Sequence, residues 1–161
     1  MTDGKVFFAR SNDHLVLRFD GDIRYTLAYS LDRFLDRQFA GSAPKSVCVD
    51  LNDTLSIDST GIGLLAKIAK LLGRDSTEKP VLFSGNEDIN ELLRAVCLDR
   101  YCVIVPGTAQ EYPLEALSDD LPQEPELAKT VLEAHRTLCE LSEGNRRQFR
   151  SVVEALERER Y

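Results

Sequence analysis

Residues 55–65 read Leu-Ser-Ile-Asp-Ser-Thr-Gly-Ile-Gly-Leu-Leu, and this stretch holds the chain's densest set of groups capable of chemistry. Ser59 and Thr60 supply adjacent hydroxyls, Asp58 a carboxylate, and Gly61 and Gly63 two positions without side chains. An apolar run precedes them at 46–51 and a helical pattern follows to about Leu72, so the set lies at a strand-to-helix junction. The first N–H groups of a helix have no partner within it, and its dipole is positive at that end, which suits an anion. A hydroxyl there can act as a nucleophile, as a helix cap, or as a phosphate acceptor. Each role needs different company.

A nucleophilic serine, Ser59 or Ser56, needs a base within reach. The only histidines are His14, in a strand pattern, and His135, in a helix near the C-terminus beside its apolar stripe. No G-x-S-x-G elbow occurs, so hydrolysis is set aside. Gly61-Ile62-Gly63-Leu64-Leu65-Ala66 matches G-x-G-x-x-A, but a dinucleotide site uses the first strand of its unit and an acid about 20 residues on. Here the match falls in the third or fourth strand unit and the next strand ends in Ser84-Gly85, so the glycines read as packing positions that let the helix approach the sheet. A phospho-aspartate receiver would use Asp50 or Asp58 as acceptor with Asp20 and Asp22 as a magnesium pair. The last strand runs into Val105-Pro106-Gly107-Thr108 without the lysine such a site requires. What stays open on spacing alone is a cap or a hydroxyl modified by another enzyme.

The whole chain narrows the classes further. Its 161 residues suit one domain with a small appendage, and 43% hydrophobic with 29% charged residues is ordinary for a folded soluble protein. A net charge of −7 with no dense basic cluster argues against nucleic acid, since Arg146-Arg147 is diluted by nearby glutamates. No apolar run approaches the roughly 20 residues of a membrane span, and Met1-Thr2-Asp3-Gly4 does not begin a signal peptide. Cys48, Cys97, Cys102 and Cys139 form no C-x-x-C pair and sit in apolar patterns, which predicts buried thiols in a reducing cytoplasm. No metal or cofactor is expected.

The elements that must position the junction follow from periodicity. Strands are expected at 6–9 and 14–19, joined by Ser11-Asn12-Asp13 and closed by Asp20-Gly21-Asp22. An amphipathic helix is expected over 25–39, ended by Gly41-Ser42-Ala43-Pro44. The strand at 46–51, the helix after the junction ended by Gly73, a strand at 81–84, a helix capped by Asn86 and a last strand at 102–105 complete the pattern. Strands alternating with helices imply an α/β fold with a partly parallel sheet.

Residues 109–123, with Pro113, Pro122 and acidic residues, read as a linker without strand pattern. Beyond it, Leu127, Val131, Ala134, Leu138 and Leu141 recur at four, three, four and three, a coiled-coil-like stripe begun by Pro125. Gly144 is expected to end this helix and Asn145 with Gln148 to cap another carrying Phe149, Val152, Val153 and Leu156. The chain thus divides into 1–108, a linker at 109–123 and a helical hairpin at 124–161. Too narrow to stand alone, the hairpin is expected to dock on the domain, on a second copy as a homodimer, or on a partner.

Residues 57–65 resemble the D-S-(S/T)-G-(L/I)-G signature of the STAS domain, the fold of bacterial anti-sigma factor antagonists. The resemblance covers about residues 4–108, with the family's order of elements, and residues 17–23 are similar to its early L-x-G-x-(L/I) segment. It implies a STAS-type mixed sheet packed with helices, to which the helical hairpin is an addition. It also implies a cytoplasmic, non-enzymatic phosphoprotein that switches partners and so regulates transcription. In such proteins the serine after the aspartate is phosphorylated by a GHKL-type kinase, often the anti-sigma factor itself, and a PP2C-type phosphatase reverses the change. That role maps to Ser59, with Ser56 and Thr60 as secondary acceptors. Asp58, Ser59, Thr60, Gly61, Ile62 and Asp22 would form the partner surface. Arg24 departs from the acidic residue many members carry, so contacts to the kinase would differ. The alternatives are a structural STAS scaffold in a sensory complex, a receiver, or a nucleotide-binding protein.

Overall fold

The computed structural model describes residues 4–109, 111–118 and 122–159. Residues 1–3, parts of the expected linker (110 and 119–121) and the last two hairpin residues lie outside the described set. The strands are β1 (Lys5–Ser11), β2 (His14–Ile23), β3 (Ser46–Asp50), β4 (Thr54–Ile57), β5 (Val81–Phe83), β6 (Val103–Val105) and β7 (Glu115–Ala116). The helices are α1 (Ala28–Ala40), α2 (Ser59–Asp75), α3 (Glu87–Ala95), α4 (Glu124–Leu141) and α5 (Glu143–Arg158), with short 3-10 turns at Tyr25–Leu27 and Leu98–Arg100.

The sheet order is β6-β5-β3-β2-β1-β7, with β4 pairing separately with the end of β2. β1 and β2 form an antiparallel hairpin, and β2–β3, β3–β5 and β5–β6 are parallel, as alternating strands and helices require. Leu15, Leu17 and Phe19 of β2 and Val47 and Val49 of β3 are sealed in the core with Leu31 and Leu35 of α1 and Leu65, Ile68 and Leu72 of α2. Periodicity marked Leu15, Leu17 and Phe19 of β2 and Leu31 and Leu35 of α1, while α2 buries Leu64, Ile68 and Leu71 beyond its expected stripe.

Several local expectations are corrected. Asp20-Gly21-Asp22 does not close β2: Gly21 adopts φ 83, the register shifts between Gly21 and Asp22, and the strand continues to pair with β4. The expected linker contains β7, whose Glu115 and Ala116 lie opposite Phe8 and Phe7; two residues at an edge carry no period to read. Gly73 does not end α2, which continues to Asp75; Gly73 keeps helical conformation with open space around it.

Ser142, not Asn145, caps α5, and Gly144 lies inside its first turn. Asn145 is instead buried, and its side-chain amide donates to the carbonyls of Val96 (2.8 Å) and Leu138 (2.9 Å). At the other end, Gln123 and Glu126 form a capping box for α4, with Pro in its first turn. The hairpin docks on its own domain. Leu138 and Phe149 join the main core, and a Cβ placed on Gly63 would lie 2.5 Å from the Ala134 carbonyl oxygen, so α2 and α4 approach almost backbone to backbone.

Candidate functional site: the start of helix α2

β4 leads directly into α2, and its pairing with the bulged end of β2 fixes where that helix begins. The Asp58 N–H donates to the Ile23 carbonyl (3.0 Å), anchoring the junction to the sheet. Asp58 then leaves the strand in extended conformation as the N-cap: Oδ1 accepts from the Gly61 N–H at 2.8 Å, and Oδ2 accepts from the Tyr25 N–H at 2.8 Å. One carboxylate thus ties α2 to the turn before α1. A side chain at Gly61 would meet Ile57 at 2.8 Å and Ile23 at 3.2 Å, so this glycine is set by packing on the strands. Gly63, also expected to face the sheet, faces α4 instead.

Thr60 and Ile62 are buried, at 3% and 5% exposure. Ser56 is exposed on β4, and its hydroxyl donates to Asp22 Oδ1 at 2.6 Å. The expected surface set is therefore split. Asp22 and Ser56 face outward together, Thr60 and Ile62 face inward, and Asp58 and Ser59 lie half-buried between them.

Ser59 opens the first turn of α2, and its Oγ lies 2.8 Å from His135 Nε2 on α4. The other ring nitrogen, Nδ1, lies 2.8 Å from the Val131 carbonyl oxygen, which can only accept. In the neutral ring Nδ1 therefore carries the proton, Nε2 presents a lone pair, and the Ser59 hydroxyl donates to it. His135 is 3% exposed and packs edge-on against Phe149, with ring centroids 5.8 Å apart. The sequence reading that neither histidine is placed to serve a hydroxyl is thus overturned. The residues lie 76 positions apart, and a lone histidine near an apolar stripe gives no cue to the partner it meets.

Other candidates are occupied elsewhere. His14 contacts Ser46 Oγ at 2.6 Å at the start of β2. Asp20 pairs with Arg18 at 3.1 Å while Asp22 holds Ser56, so these acids face different neighbours. Asp50 accepts from the Asn52 N–H. Among the described residues, no cluster of three or more His, Cys, Asp or Glu could hold a metal ion. No helix there is long and apolar enough to cross a membrane.

Beside the junction, Lys67 on α2 binds Asp32 (2.5 Å) and Asp36 (2.7 Å) of α1. Burial alone would depress its ammonium, but hydrogen bonds to both carboxylates outweigh this and raise its pKa above the ordinary lysine value. Lys70 reaches across to Glu140 of α4 at 3.0 Å. An open depression of about 330 Å³, lined by Tyr25, Asp58, Thr60, Leu127, Val131 and Leu156, flanks the site where the hairpin meets the helix start.

The mixed sheet, its order and the capped signature helix define a STAS fold. The STAS domain profile matches residues 8–110, and the chain belongs to that family. Solved structures similar to it include an anti-sigma factor antagonist from Mycobacterium paratuberculosis, with 17% identity and a TM-score of 0.56 over 65% of this chain and 87% of that one. The Bacillus cell fate determinant SpoIIAA in its phosphorylated form is similar at 12% identity and a TM-score of 0.52, over 61% and 88%. The protein TM1081 gives 22% identity and a TM-score of 0.54, over 62% and 78%. At these identities the likeness concerns the fold. No curated protein matches the sequence.

Proposed function

We propose that this protein is a bacterial, cytoplasmic anti-sigma factor antagonist that works as a serine phosphoswitch. Unphosphorylated, it binds and sequesters an anti-sigma factor or related regulator; phosphorylation of Ser59 releases that partner. A GHKL-type kinase and a PP2C-type phosphatase would write and erase the mark. The protein itself catalyses nothing. The observation that carries this reading is Ser59 in the first turn of α2, directly after the capping Asp58, within a STAS fold.

The physics of the switch follows from that position. Phosphorylation adds roughly −1.5 to −2 charges and three acceptor oxygens. The positive end of α2 tolerates this charge, so the sheet need not rearrange. The cost falls on whatever packs over the helix start, where a dianion next to Asp58 must be desolvated or expelled. Thr60, nearly buried, suits a kinase poorly, whereas Ser56 is exposed and remains the rival acceptor. Mass spectrometry of the protein isolated from its own cells tests the reading. It predicts phosphate on Ser59 and a co-purifying regulator; phosphate confined to Ser56, or none under any growth condition, contradicts it.

The Ser59–His135 contact favours one competing reading, a nucleophilic serine activated by a histidine. It lacks the third partner of a triad, since Nδ1 faces a carbonyl rather than a carboxylate. A fluorophosphonate probe separates the two. Covalent labelling of Ser59 lost in His135→Ala supports the nucleophile, and no labelling supports the switch.

A further inference from the structure

We propose that the α4–α5 hairpin is an intramolecular cover over the start of α2, and that charge added at Ser59 opens it. This rests on the reading of Ser59 as the modified residue. The crossing places α4 directly against one side of the half-buried serine. Oγ is in direct hydrogen-bond contact with a ring that is itself buried, and one helical turn further on the backbone at Gly63 touches that of Ala134. With Oγ held in its present direction, a phosphorus atom and its three oxygens need the volume the imidazole fills. Turning the serine outward instead strands the His135 Nε2 lone pair in the interior without a donor. Either way the modified site and the docked hairpin disfavour one another.

The hairpin is joined to the domain mainly through one helix. α5 buries only Asn145 and Phe149, so the contact is made chiefly by α4 against α2. Outside that contact, α4 also packs on α1 and Leu138 and Phe149 reach the main core, and polar links join Asn145 to the Val96 carbonyl, Lys70 to Glu140, and the Tyr101 hydroxyl to the Leu141 carbonyl. The segment joining β6 to α4 is held to the sheet by the two-residue pairing of β7, so an undocked hairpin stays tethered close to its site.

Hydrogen exchange of the full chain carrying phosphoserine installed at position 59 tests this, with the unmodified wild type as reference and Ser59→Glu as a second charged form. The expected result is exchange at least tenfold faster across 124–158 in both charged forms than in the unmodified wild type, with β2 and β3 unchanged. Equal protection of 124–158 in all three forms overturns the proposal, and so does acceleration that spreads equally through the sheet. Because the mark is installed, the outcome does not depend on which residue the cell's kinase selects. A closed hairpin over phosphoserine 59 removes the cover and leaves the phosphoswitch standing.

Discussion

At the scale of single residues, Asp58 and Ser59 divide the work of the signature. Asp58 is structural, with both carboxylate oxygens accepting from backbone N–H groups, one of them in a different element. Asp58→Ala should lower stability by about 1–2 kcal/mol, as loss of an N-cap does, and urea unfolding would read it. Asp58→Asn, which keeps an acceptor, should recover most of the loss. That one of Asp58, Ser59 and Thr60 caps α2 was legible in sequence because N-capping is a local matter of residue type, and the structure selects Asp58. His135 was not, because only the packing of α4 on α2 brings it to Ser59. In the neutral ring its Val131 contact leaves Nε2 as an acceptor toward the serine, a detail that depends on helix geometry rather than spacing. Cys97 and Cys139 differ from expectation in a smaller way, being half-buried where all four thiols were expected inside.

Among the elements, those with a full period were readable and those set by pairing or crossing were not. β3 and α1 bury the faces their periodicity predicts, whereas β2 also buries Val16 of its more polar face, and α2 buries Leu64, Ile68 and Leu71 beyond the expected stripe of Ile62, Leu65, Ala66 and Leu72, with Ala69 only partly covered. β4 and β7 are short and exist because another strand is there to pair with, β2 and β1 respectively. The stripe expected on α4 is likewise redrawn: Ala134 and Leu138 are buried as predicted, but Thr130, Leu132 and His135 are buried with them while Leu127 and Val131 are only partly covered. A helix packed against α2, α5 and α1 buries a broader face than a single stripe, and the sequence could not say which neighbours it meets. Two variants probe that docking. Gly63→Ala places a Cβ against the Ala134 carbonyl, and overpacking of this kind costs about 1–3 kcal/mol. Proteolysis should then cut within 109–158 well before the sheet is lost, whereas cleavage at the wild-type rate would contradict the close crossing. Asn145→Leu leaves two buried carbonyls without their donor and should destabilise by about 2–3 kcal/mol, seen as a lowered Tm.

For the molecule as a whole, two buried thiols set a limit on the alkaline side. Burial, with a smaller contribution from Asp50, pushes the Cys48 thiol up to about 11. Burial pushes Cys102 up to about 12, against a weak opposing effect of Lys79. An unfolded chain would release these protons near pH 9.0, so above that pH the unfolded state binds fewer protons than the folded one. Stability from this source is complete below pH 9 and is lost as pH rises toward 11 and 12, each thiol adding a slope of about 1.4 kcal/mol per pH unit. Urea unfolding from pH 8 to 11 should show the decline, and Cys102→Ala should make it shallower; a flat profile would contradict buried thiols. The same whole-molecule view shows a STAS core carrying its own helical hairpin across the serine that its signature marks. The central claim is that charge at that serine decides partner binding. Its most direct test is the affinity of the co-purifying regulator for wild type, Ser59→Ala and Ser59→Glu, measured side by side by calorimetry. The account predicts that Ser59→Ala binds like the unphosphorylated wild type and that Ser59→Glu binds at least a hundredfold more weakly, a loss of ~3 kcal/mol. Equal affinity for all three would contradict it.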